Sequence, residues 1–356
     1  MKKVKKAVFL ILLLIIAVFA FGLKTYHDAG EFKTLDFHFD GESRVVGGLL
    51  SSEDITIDYA SGRAFISSAD RRSRWSGKAP QNGDVFVYDL GALESGQATP
   101  LNLNLQLSHK FNPHGIDVFR NEAGELTLLA VNHNENGHFI EIFREQDSLF
   151  VHEASIRDSL MHSPNDVVAV DENRFYVTND HGNVTALGKT FEDYLQLNRS
   201  YLLYYDGVRF RKVAEGFAYA NGVNISRDGK SVYVAATVDG EISVFDRDLK
   251  NGDLRLIEKI DLKTGVDNIE VDENGNLWIG AHPQMLTFIA HSKDANALSP
   301  SQVFRLERNA NGEFSAAEIY LEKGEMLSGS SVAVVYGETL LIGAVFDPKF
   351  LVCKMR

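Results

Sequence analysis

The stretch NGVNISRDGKSVYVAAT, residues 221–237, decides the fold, because it joins a polar pair, an apolar segment, a turn and a second apolar segment. The turn sequence is Arg227-Asp228-Gly229-Lys230, and the second segment begins at Ser231. Asp-Gly between two apolar segments favours a β-hairpin, since both residues tolerate the backbone angles of a tight turn. The stretch therefore predicts two antiparallel strands, the first opened by polar residues.

The same pattern recurs six times along the chain, at similar intervals between positions 53 and 330. The polar pairs are Glu53-Asp54, His114-Gly115, Asn165-Asp166, Asn221-Gly222, Asp267-Asn268 and Ser330-Ser331. Each pair is followed by a second strand: RAFISS, LTLLAVN, RFYVTND, SVYVAAT, LWIGAHP or TLLIGAV. Regular repeats with this spacing, built from short strands, are typical of propeller blades. The sequence predicts an all-β, six-bladed β-propeller that occupies residues 26–356 as one domain.

Short apolar or alternating segments mark the individual strands. The candidates are Ala64–Ser67, Val85–Tyr88, Leu126–Val131, Phe139–Phe143, Phe175–Thr178, Ser231–Ala235, Ile242–Phe245, Asn276–Gly280 and Leu340–Ala344. A short helix is expected near Phe191–Gln196, and no long segment of the propeller region has a helical period.

The N-terminus predicts a hydrophobic helix that reaches a membrane. Lys2, Lys3, Lys5 and Lys6 precede an uncharged run from Ala7 to Leu23. The length of this run is at the lower end of the roughly 17–25 residues that span a bilayer, and it exceeds the ~7–15 residues usual in a cleaved signal. We expect residues 1–25 to remain as a signal anchor, with cleavage after Ala20 as the alternative. The lysines stay on the cytoplasmic side, so the propeller is expected outside the cytoplasm, membrane-anchored, or periplasmic or secreted if the anchor is cut.

The formal net charge of −13 argues against a nucleic-acid partner, because phosphates would be repelled. Acidic and amide side chains are instead expected to converge. The innermost strands of a propeller all run in one direction beside the axis, so the residues that open them meet at one end of the channel. These residues are Glu53, Asp54, His114, Asn165, Asp166, Asn221, Asp267 and Asn268. Any single pair could merely cap a turn, but five of the six blades carry acidic, amide or imidazole groups at this position.

Such a cluster predicts a divalent cation. Its four carboxylates cannot all stay ionised in a half-buried channel unless a cation compensates their charge. Carboxylate and Asn oxygens are hard ligands, and they favour Ca²⁺, which takes about 6–8 oxygens, over zinc or the more strictly octahedral Mg²⁺. Removal of this cofactor is expected to loosen the fold as well as stop function.

Two histidines are candidates for proton transfer. His114 opens an inner strand and His133 ends the strand that follows, so antiparallel pairing can bring them to the same end of the sheet. Such a pair can act as a base with an orienting partner, although two structural histidines fit the spacing equally well. His181 and His282 end second strands in other blades and are expected to line the same mouth. Surface positions are expected for the remaining histidines: His27, His38, His109, His138, His152, His162 and His291.

At these residues the chain resembles the paraoxonase/arylesterase family. The matching stretches are SSEDI (51–55), FNPHGI (111–116), VNH (131–133), NDVVAV (165–170), FYVTNDH (175–181), AEGFAYANGVNISRDGKSVYVA (214–235), VDNIEVD (266–272), LWIGAHP (277–283) and LSGSSVAVVYGETLLIGAVF (327–346). They run in family order over nearly the whole chain after about residue 40. Gluconolactonase-type and strictosidine-synthase-like propellers share the metal pattern, but not FNPHGI together with AEGF-x-x-ANG.

The resemblance implies two calcium ions and a set of roles. A catalytic calcium would be held by Glu53, Asn165, Asn221, Asp267 and Asn268. A structural calcium would be held by Asp54, Asp166 and the backbone carbonyl of Ile116. His114 and His133 match a histidine dyad, and His282 matches a pocket histidine.

The expected function is calcium-dependent hydrolysis of small lactones and aryl esters. In this hypothesis calcium and the Asn165 amide polarise the carbonyl, while His114, oriented by His133, activates the water. The alternatives are a gluconolactonase-type sugar-lactone hydrolase and a non-enzymatic propeller that binds a ligand.

Three departures from the family pattern carry expectations of their own. Mammalian members of the family tie their two ends with a disulfide, but here Cys353 is the only cysteine and position 42 is a glutamate, Glu42. The ring of blades must therefore close by strand pairing, which we expect between Thr34–His38 and the last blade. Cys353 itself is expected to be a buried apolar residue. Ala281 replaces the family's free cysteine, which is consistent with a thiol that is not essential. The lid segment ADRRSRW, residues 69–75, is unusually basic and is expected to be a solvated charge run, with a preference for anionic or polar substrates as the alternative.

Overall fold

The computed structural model describes residues 2–93, 98–309 and 311–356, so Met1 of the predicted anchor lies outside the described residues. The chain begins with helix α1 (Lys2–Asp28) and two short strands, β1 (His38–Phe39) and β2 (Gly41–Gly47). Six antiparallel sheets then follow one another and form the predicted six-bladed propeller.

Blades 1 to 3 each contain four consecutive strands. Blade 1 is made of β3 (Ile55–Asp58), β4 (Arg63–Ser68), β5 (Asp84–Asp89) and β6 (Leu101–Asn102). Blade 2 is made of β7 (Pro113–Arg120), β8 (Leu126–Asn134), β9 (Gly137–Gln146) and β10 (Leu149–Ile156). Blade 3 is made of β11 (Pro164–Ala169), β12 (Phe175–Asn179), β13 (Ser200–Tyr205) and β14 (Phe210–Phe217).

Blades 4 to 6 repeat this order, and the last two also take up the N-terminal strands. Blade 4 is made of β15 (Ala220–Ile225), β16 (Ser231–Ala236), β17 (Glu241–Arg247) and β18 (Leu254–Asp261). Blade 5 is made of β19 (Gly265–Val271), β20 (Leu277–His282), β21 (Ser301–Arg308) and β22 (Phe314–Glu322), with β1 at its outer edge. Blade 6 is made of β23 (Ser330–Tyr336), β24 (Thr339–Ala344), β25 (Lys349–Met355) and β2. All the predicted strand segments lie within strands, except that Asn276 just precedes β20.

Each inner strand contacts the inner strand of the next blade, and β23 of blade 6 contacts β3 of blade 1, so the ring is closed. The inner strands β3, β11 and β19 are buried along their whole length, whereas every residue of the outer strand β18 is exposed or half-buried. The polar residues that open or lie in the inner strands are therefore buried around the axis. This arrangement places charged groups where water cannot fully solvate them.

The ring closes through β2, which pairs with β25 from Gly41–Met355 to Gly47–Lys349. The predicted closing segment, Thr34–His38, was wrong: only His38 lies in a strand, and it pairs with Leu321 of blade 5. Strand β2 is paired with β25 along its whole length, so backbone hydrogen bonds, and not a disulfide, join the two ends of the propeller. Cys353 is fully buried opposite Ser43, whose Oγ donates to its Sγ at 3.2 Å. Its predicted buried position is confirmed.

In the described residues, short helices lie between the second and third strands of alternate blades: α2 (Arg71–Trp75) in blade 1, α3 (Ala186–Tyr194) in blade 3 and α4 (Met285–Lys293) in blade 5. Since an inner strand starts at the mouth of the channel and the second strand returns there, these helices surround the mouth. Helix α3 begins at Ala186 instead of near Phe191, because Thr185 caps it by accepting from the backbone N–H of Gly188.

Helix α1 leaves the propeller beside the mouth. It is long and apolar enough to cross a membrane, a property that it shares with signal sequences. At its end, Lys24 donates to the Gln196 side chain at 2.7 Å, and Gln196 in turn donates to Asp28 at 3.1 Å. Gln196 follows α3, so these contacts tie the end of α1 to the mouth face.

Candidate active site

The polar residues that open the inner strands come together at one end of the channel. The Asn268 amide of blade 5 donates to Glu53 Oε1 of blade 1 at 3.3 Å, and His114 Nε2 of blade 2 lies 3.3 Å from the same oxygen. Deeper in the channel, Asp54 accepts from the backbone N–H of Ile116 at 2.6 Å, and Asp166 accepts from that of Val223 at 2.7 Å. These contacts bring residues of five blades to one site.

Two glycines allow this close approach. A Cβ at Gly115 would lie 2.2 Å from Asp166 Oδ1, and a Cβ at Gly222 would lie 2.6 Å from the Cα of Asn268. Both distances are far below van der Waals contact, so any side chain would push neighbouring inner strands apart. Glycine as the second member of these two polar pairs therefore brings the ring together.

Three amide oxygens in the site are buried and have no hydrogen-bond partner among the described residues, namely Oδ1 of Asn165, Asn221 and Asn268. Their amide nitrogens are engaged with Asp180 Oδ2 at 3.3 Å, Thr237 Oγ1 at 3.0 Å and the Glu53 carbonyl at 3.0 Å, respectively. A buried unpaired oxygen costs about 1–3 kcal/mol. Three such oxygens beside buried carboxylates form a donor set suited to a cation.

The carboxylates divide into two groups. Burial and neighbouring carboxylates raise the pKa of Asp54 and of Asp166 well above the usual range. Burial also raises the pKa of Glu53, but the charges of Arg71 and His114 outweigh it and bring the pKa to about 2. Asp54 and Asp166 remain ionised only if a cation lies beside them.

The donor chemistry fits calcium. Within the described ranges, no three His, Cys, Asp or Glu side chains converge as a metal-binding group. A cation at this site must therefore use amide as well as carboxylate oxygens, and a mixture of these is what Ca²⁺ accepts. The predicted catalytic set Glu53, Asn165, Asn221, Asp267 and Asn268 includes all three unpaired amide oxygens. The predicted structural set, Asp54, Asp166 and Ile116, lies deeper in the same channel.

We call the polar residues that open the inner strands the ring residues. In blades 2 to 5 a second polar residue contacts the ring residue of the same blade. This contact has the same register in all four blades. The residue that precedes the ring residue is the strand partner of the residue that precedes the second polar residue, as in Pro113–Asn132 and Pro164–Asn179. We call this second position the support position. The four contacts are His114–His133 at 2.9 Å, Asn165–Asp180 at 3.3 Å, Asn221–Thr237 at 3.0 Å and Asp267–His282 at 2.9 Å.

Blade 2 extends this contact into a chain of imidazoles. His114 Nδ1 lies 2.9 Å from His133 Nε2, and His133 Nδ1 lies 2.7 Å from His138 Nδ1. Burial, followed by the charge of Arg74, lowers the pKa of His133 well below its usual value and that of His138 to about 4. His133 and His138 are therefore uncharged near neutral pH.

His138, which was expected at the surface, is half-buried and forms the end of this chain of imidazoles. Residues 134–137 form a tight turn between β8 and β9, and the register places His133 directly opposite His138. The Asn-Glu-Asn-Gly sequence between the two histidines was the signal that could have revealed the pair.

The two predicted pocket histidines differ. His282 occupies the support position of blade 5, with Nε2 2.9 Å from Asp267 Oδ2 and its ring stacked on Phe288 at 3.8 Å. His181 does not share that position, because Asp180 holds it in blade 3 and His181 is one residue further along. His181 lies between Asp180 (2.5 Å) and Asp193 (2.9 Å), and these carboxylates outweigh burial and raise its pKa to about 9.

The basic lid segment is not a solvated charge run at Arg71. This residue is only 6% exposed, and its Nη2 donates to Glu53 Oε2 at 2.9 Å and to the Pro113 carbonyl at 3.1 Å. Register explains why blade 1 differs, since its support position falls on Ala69, which has no polar group to offer. The first residue of α2 reaches Glu53 instead.

The histidines expected at the surface also include His291, but this residue is fully buried, so that expectation was wrong. It joins the lid to α4, because Arg72 donates to its carbonyl and lies 3.2 Å from its Nε2. His109 and His152 are half-buried and hold the buried Glu141 at 2.7 and 3.0 Å, on the outer side of blade 2.

The comparisons with known proteins agree with this fold. The sequence model of the arylesterase family matches residues 44–355. Human serum paraoxonase/arylesterase 1 is 39% identical over 320 residues, which cover 87% of this chain and 88% of that protein. Human serum paraoxonase/lactonase 3 is 34% identical over 309 residues, with 85% and 86% covered.

Solved structures share the propeller fold at lower identity. A gluconolactonase from Xanthomonas campestris has a TM-score of 0.52 and 16% identity, with 89% of this chain and 91% of that one covered. The calcium-binding protein regucalcin from Agrobacterium tumefaciens has a TM-score of 0.53 and 15% identity, with 90% and 98% covered. The family match over residues 44–355 and the high identity to the two human relatives confirm the predicted family: this chain is a propeller hydrolase that belongs to the arylesterase family.

Proposed function

We propose that this protein is a calcium-dependent hydrolase of lactones and aryl esters that works at the mouth of the propeller. The observation that carries the proposal is the contact of His114 Nε2 with Glu53, 3.3 Å apart. This contact joins the oxygen-rich ring, with its unpaired amide oxygens, to the chain of imidazoles. A group able to take a proton thus lies directly beside a group able to hold a cation.

The catalytic calcium would be held by Glu53, Asn165, Asn221, Asp267 and Asn268, and the structural calcium by Asp54, Asp166 and the Ile116 carbonyl. When bound, the catalytic ion would supply a Lewis acid for the ester carbonyl and a countercharge for the carboxylates. The Asn165 amide, held by Asp180, is proposed to assist at the developing oxyanion.

With a bound cation in place of a charged His114 as countercharge for Glu53, we propose that His114 carries its proton on Nδ1 alone, and this assignment satisfies every contact in the chain of imidazoles. His114 donates from Nδ1 to His133 Nε2, and His133 donates from Nδ1 to His138 Nδ1. His114 Nε2 is then free to accept a proton from the attacking water. The resulting positive charge on His114 faces Glu53 Oε1, and this carboxylate stabilises it. The proton can also pass along the chain to His138, which is closer to solvent.

A chelator experiment tests the proposal. Hydrolysis of phenyl acetate and of an aliphatic lactone is measured with EDTA and after CaCl₂ is added back, for the wild type, His114→Gln and His152→Gln. We expect EDTA to abolish turnover and calcium to restore it. His114→Gln should bind calcium normally but turn over about 10²–10⁴-fold more slowly. His152→Gln is the matched control, because this histidine of the same blade contacts Glu141 and not the ring. Full activity in EDTA would reject the proposal.

The substrate panel separates the alternatives. Aliphatic, acyl-homoserine and sugar lactones are compared with phenyl acetate under the same conditions. A preference for sugar lactones would favour the gluconolactonase-type hydrolase. Binding without turnover of any ester or lactone would favour a ligand-binding propeller.

We further propose that α1 is retained as the membrane anchor and holds the propeller outside the cytoplasm. Support comes from its length, its apolar surface and the contacts that tie its end to Gln196 on the mouth face. N-terminal sequencing of the membrane fraction after alkaline extraction tests this. A mature chain that starts at Phe21 and stays in the soluble fraction would contradict it.

A further inference from the structure

The lid helix α2 places a permanent positive charge against a ring carboxylate. Arg71 is buried, and its Nη2 lies 2.9 Å from Glu53 Oε2, the oxygen that does not face Asn268 and His114. Its Nε is also buried, and no described residue forms a hydrogen bond with it. Guanidinium groups do not lose their proton in proteins, so the positive charge of Arg71 lies beside Glu53 at every physiological pH.

Contacts of the neighbouring lid residues hold Arg71 in this position. Asp70 caps α2 by accepting from Ser73 at 3.2 Å, and its other oxygen accepts from Gln81 at 3.2 Å. Arg72 is bonded to His291 of α4, and Trp75 packs edge-on against Phe346 at 5.1 Å. Arg71 is therefore held in place on both sides by its neighbours in the lid.

The support contact in blade 1 differs in charge from those in the other blades. Asn221 is supported by the hydroxyl of Thr237, Asn165 by the carboxylate of Asp180, and both leave the ligand oxygen free for a cation. Arg71 instead occupies an oxygen of Glu53 and brings a like charge next to any bound cation. A guanidinium and Ca²⁺ therefore compete for the same carboxylate.

We propose that Arg71 sets the calcium concentration at which the site is loaded, because it stabilises Glu53 in the calcium-free protein and opposes the ion in the loaded one. The inference rests on the proposed calcium site. Both effects act in the same direction: without Arg71, Glu53 is buried and unpaired by a cation until calcium arrives, and the bound ion no longer meets a second positive charge. By linkage, loss of Arg71 must tighten calcium binding.

Competition for calcium between the calcium-loaded full chain in detergent and a chromophoric chelator tests this, with circular dichroism recorded throughout to show that the chain stays folded. The proteins are the wild type, Arg71→Gln, Arg71→Met and the control Arg72→Gln, which removes the neighbouring charge that faces His291 and not Glu53. We expect both Arg71 variants to bind calcium at least about tenfold more tightly, because two positive charges a few ångströms apart repel strongly at a buried site. Arg72→Gln should bind like the wild type.

The direction of the change is decisive. Simple damage to the lid or fold would weaken binding, so equal or weaker affinity in the Arg71 variant that folds would overturn the inference. The same tightening in Arg72→Gln would also overturn it, since bulk surface charge would then be the cause. If the wild type shows no calcium binding at all, the calcium site itself is rejected, an outcome that the competition separates from the others.

Discussion

Blades 2 and 3 place different chemistry at the same support position. In blade 2 the position holds His133, whose pKa is lowered well below its usual value by burial and by Arg74, so the group is neutral. In blade 3 it holds Asp180; burial raises the pKa of this carboxyl, but the hydrogen bond and charge of His181 outweigh that effect and lower it. One blade therefore provides a neutral group for proton transfer, and the other an ionised group that orients Asn165. The repeat sets where a side chain lies, and its neighbours set its charge.

Removal of the neutral group should have the largest effect. His133→Leu leaves His114 Nδ1 without its acceptor, so the wrong nitrogen of His114 can carry the proton. We expect turnover of phenyl acetate to fall by about 10²-fold or more, while calcium affinity is unchanged. Steady-state kinetics and calorimetry on the same preparation check this. Near wild-type turnover would show that His114 needs no partner. The support position of blade 2 would then have no part in proton transfer.

The support position of blade 4 extends the comparison to an uncharged residue. Thr237→Val removes the hydroxyl that accepts from the Asn221 amide at 3.0 Å, and the amide can then rotate away from the ring. Calcium binding should weaken by about tenfold, in the opposite direction to the Arg71 variants. Calorimetry with CaCl₂ measures it. Unchanged affinity would place Asn221 outside the ligand set.

The charged groups of blade 3 should make the stability of the protein depend on pH. His181 has a folded-state pKa of about 9, above the ordinary value of 6.5, because two carboxylates hold its proton. Its contribution to stability is thus complete below pH 6.5 and is lost as the pH rises through about 9. Asp193→Asn removes one of these carboxylates. Asp193 is 39% exposed, and solvent screens it, so we expect a loss of about 0.5–1 kcal/mol at pH 6 that vanishes near pH 10.

Urea denaturation of the wild type and Asp193→Asn at both pH values measures the difference, and nuclear magnetic resonance reports the His181 pKa directly. Asp158→Asn is a control, because this half-buried carboxylate contacts no histidine in the structure's described ranges, and any effect of its loss should be equal at both pH values. A loss of equal size at pH 6 and pH 10 in Asp193→Asn would mean that Asp193 acts by packing and not by holding the proton of His181.

The smallest effect is expected from replacement of Arg74. This variant tests whether burial or a neighbouring charge keeps the histidines of blade 2 neutral. Burial is the larger cause of the lowered pKa of His138, and Arg74 is the second. Since Arg74 is exposed on the lid, Arg74→Gln should raise this pKa from about 4 by only a few tenths of a unit. A resonance titration of the histidine rings checks it. A return to the ordinary value of 6.5 would make charge, not burial, the dominant cause.

Much of the architecture could be predicted because it depends on local patterns. The strand segments, the six polar pairs and their common end of the channel all follow from alternation, turn residues and a regular repeat. The support position was within reach as well, since it has the same register relative to each ring residue in blades 2 to 5. In blade 3 the residue type favoured His181, whereas the register places Asp180 at this position.

Other contacts could not be predicted in this way. Arg71 reaches Glu53 from a helix that has no counterpart in blades 2, 4 or 6 of the described chain. The closing strand Gly41–Gly47 and its partner β25 lie at opposite ends of the propeller sequence, and no local pattern distinguishes this strand from Thr34–His38. His138 enters the site only because a tight turn sets the register of two strands.

By itself, the sequence determined the number of blades, the strands, the family and the residues that open the inner strands, since each of these is written in short-range alternation, turns and repeats. Only the tertiary structure decided which side chains face one another across blades, and with them the charge of each buried group. The physical reason is that a pKa in a buried site depends on desolvation and on charges a few ångströms away in space, and those neighbours come from distant parts of the chain.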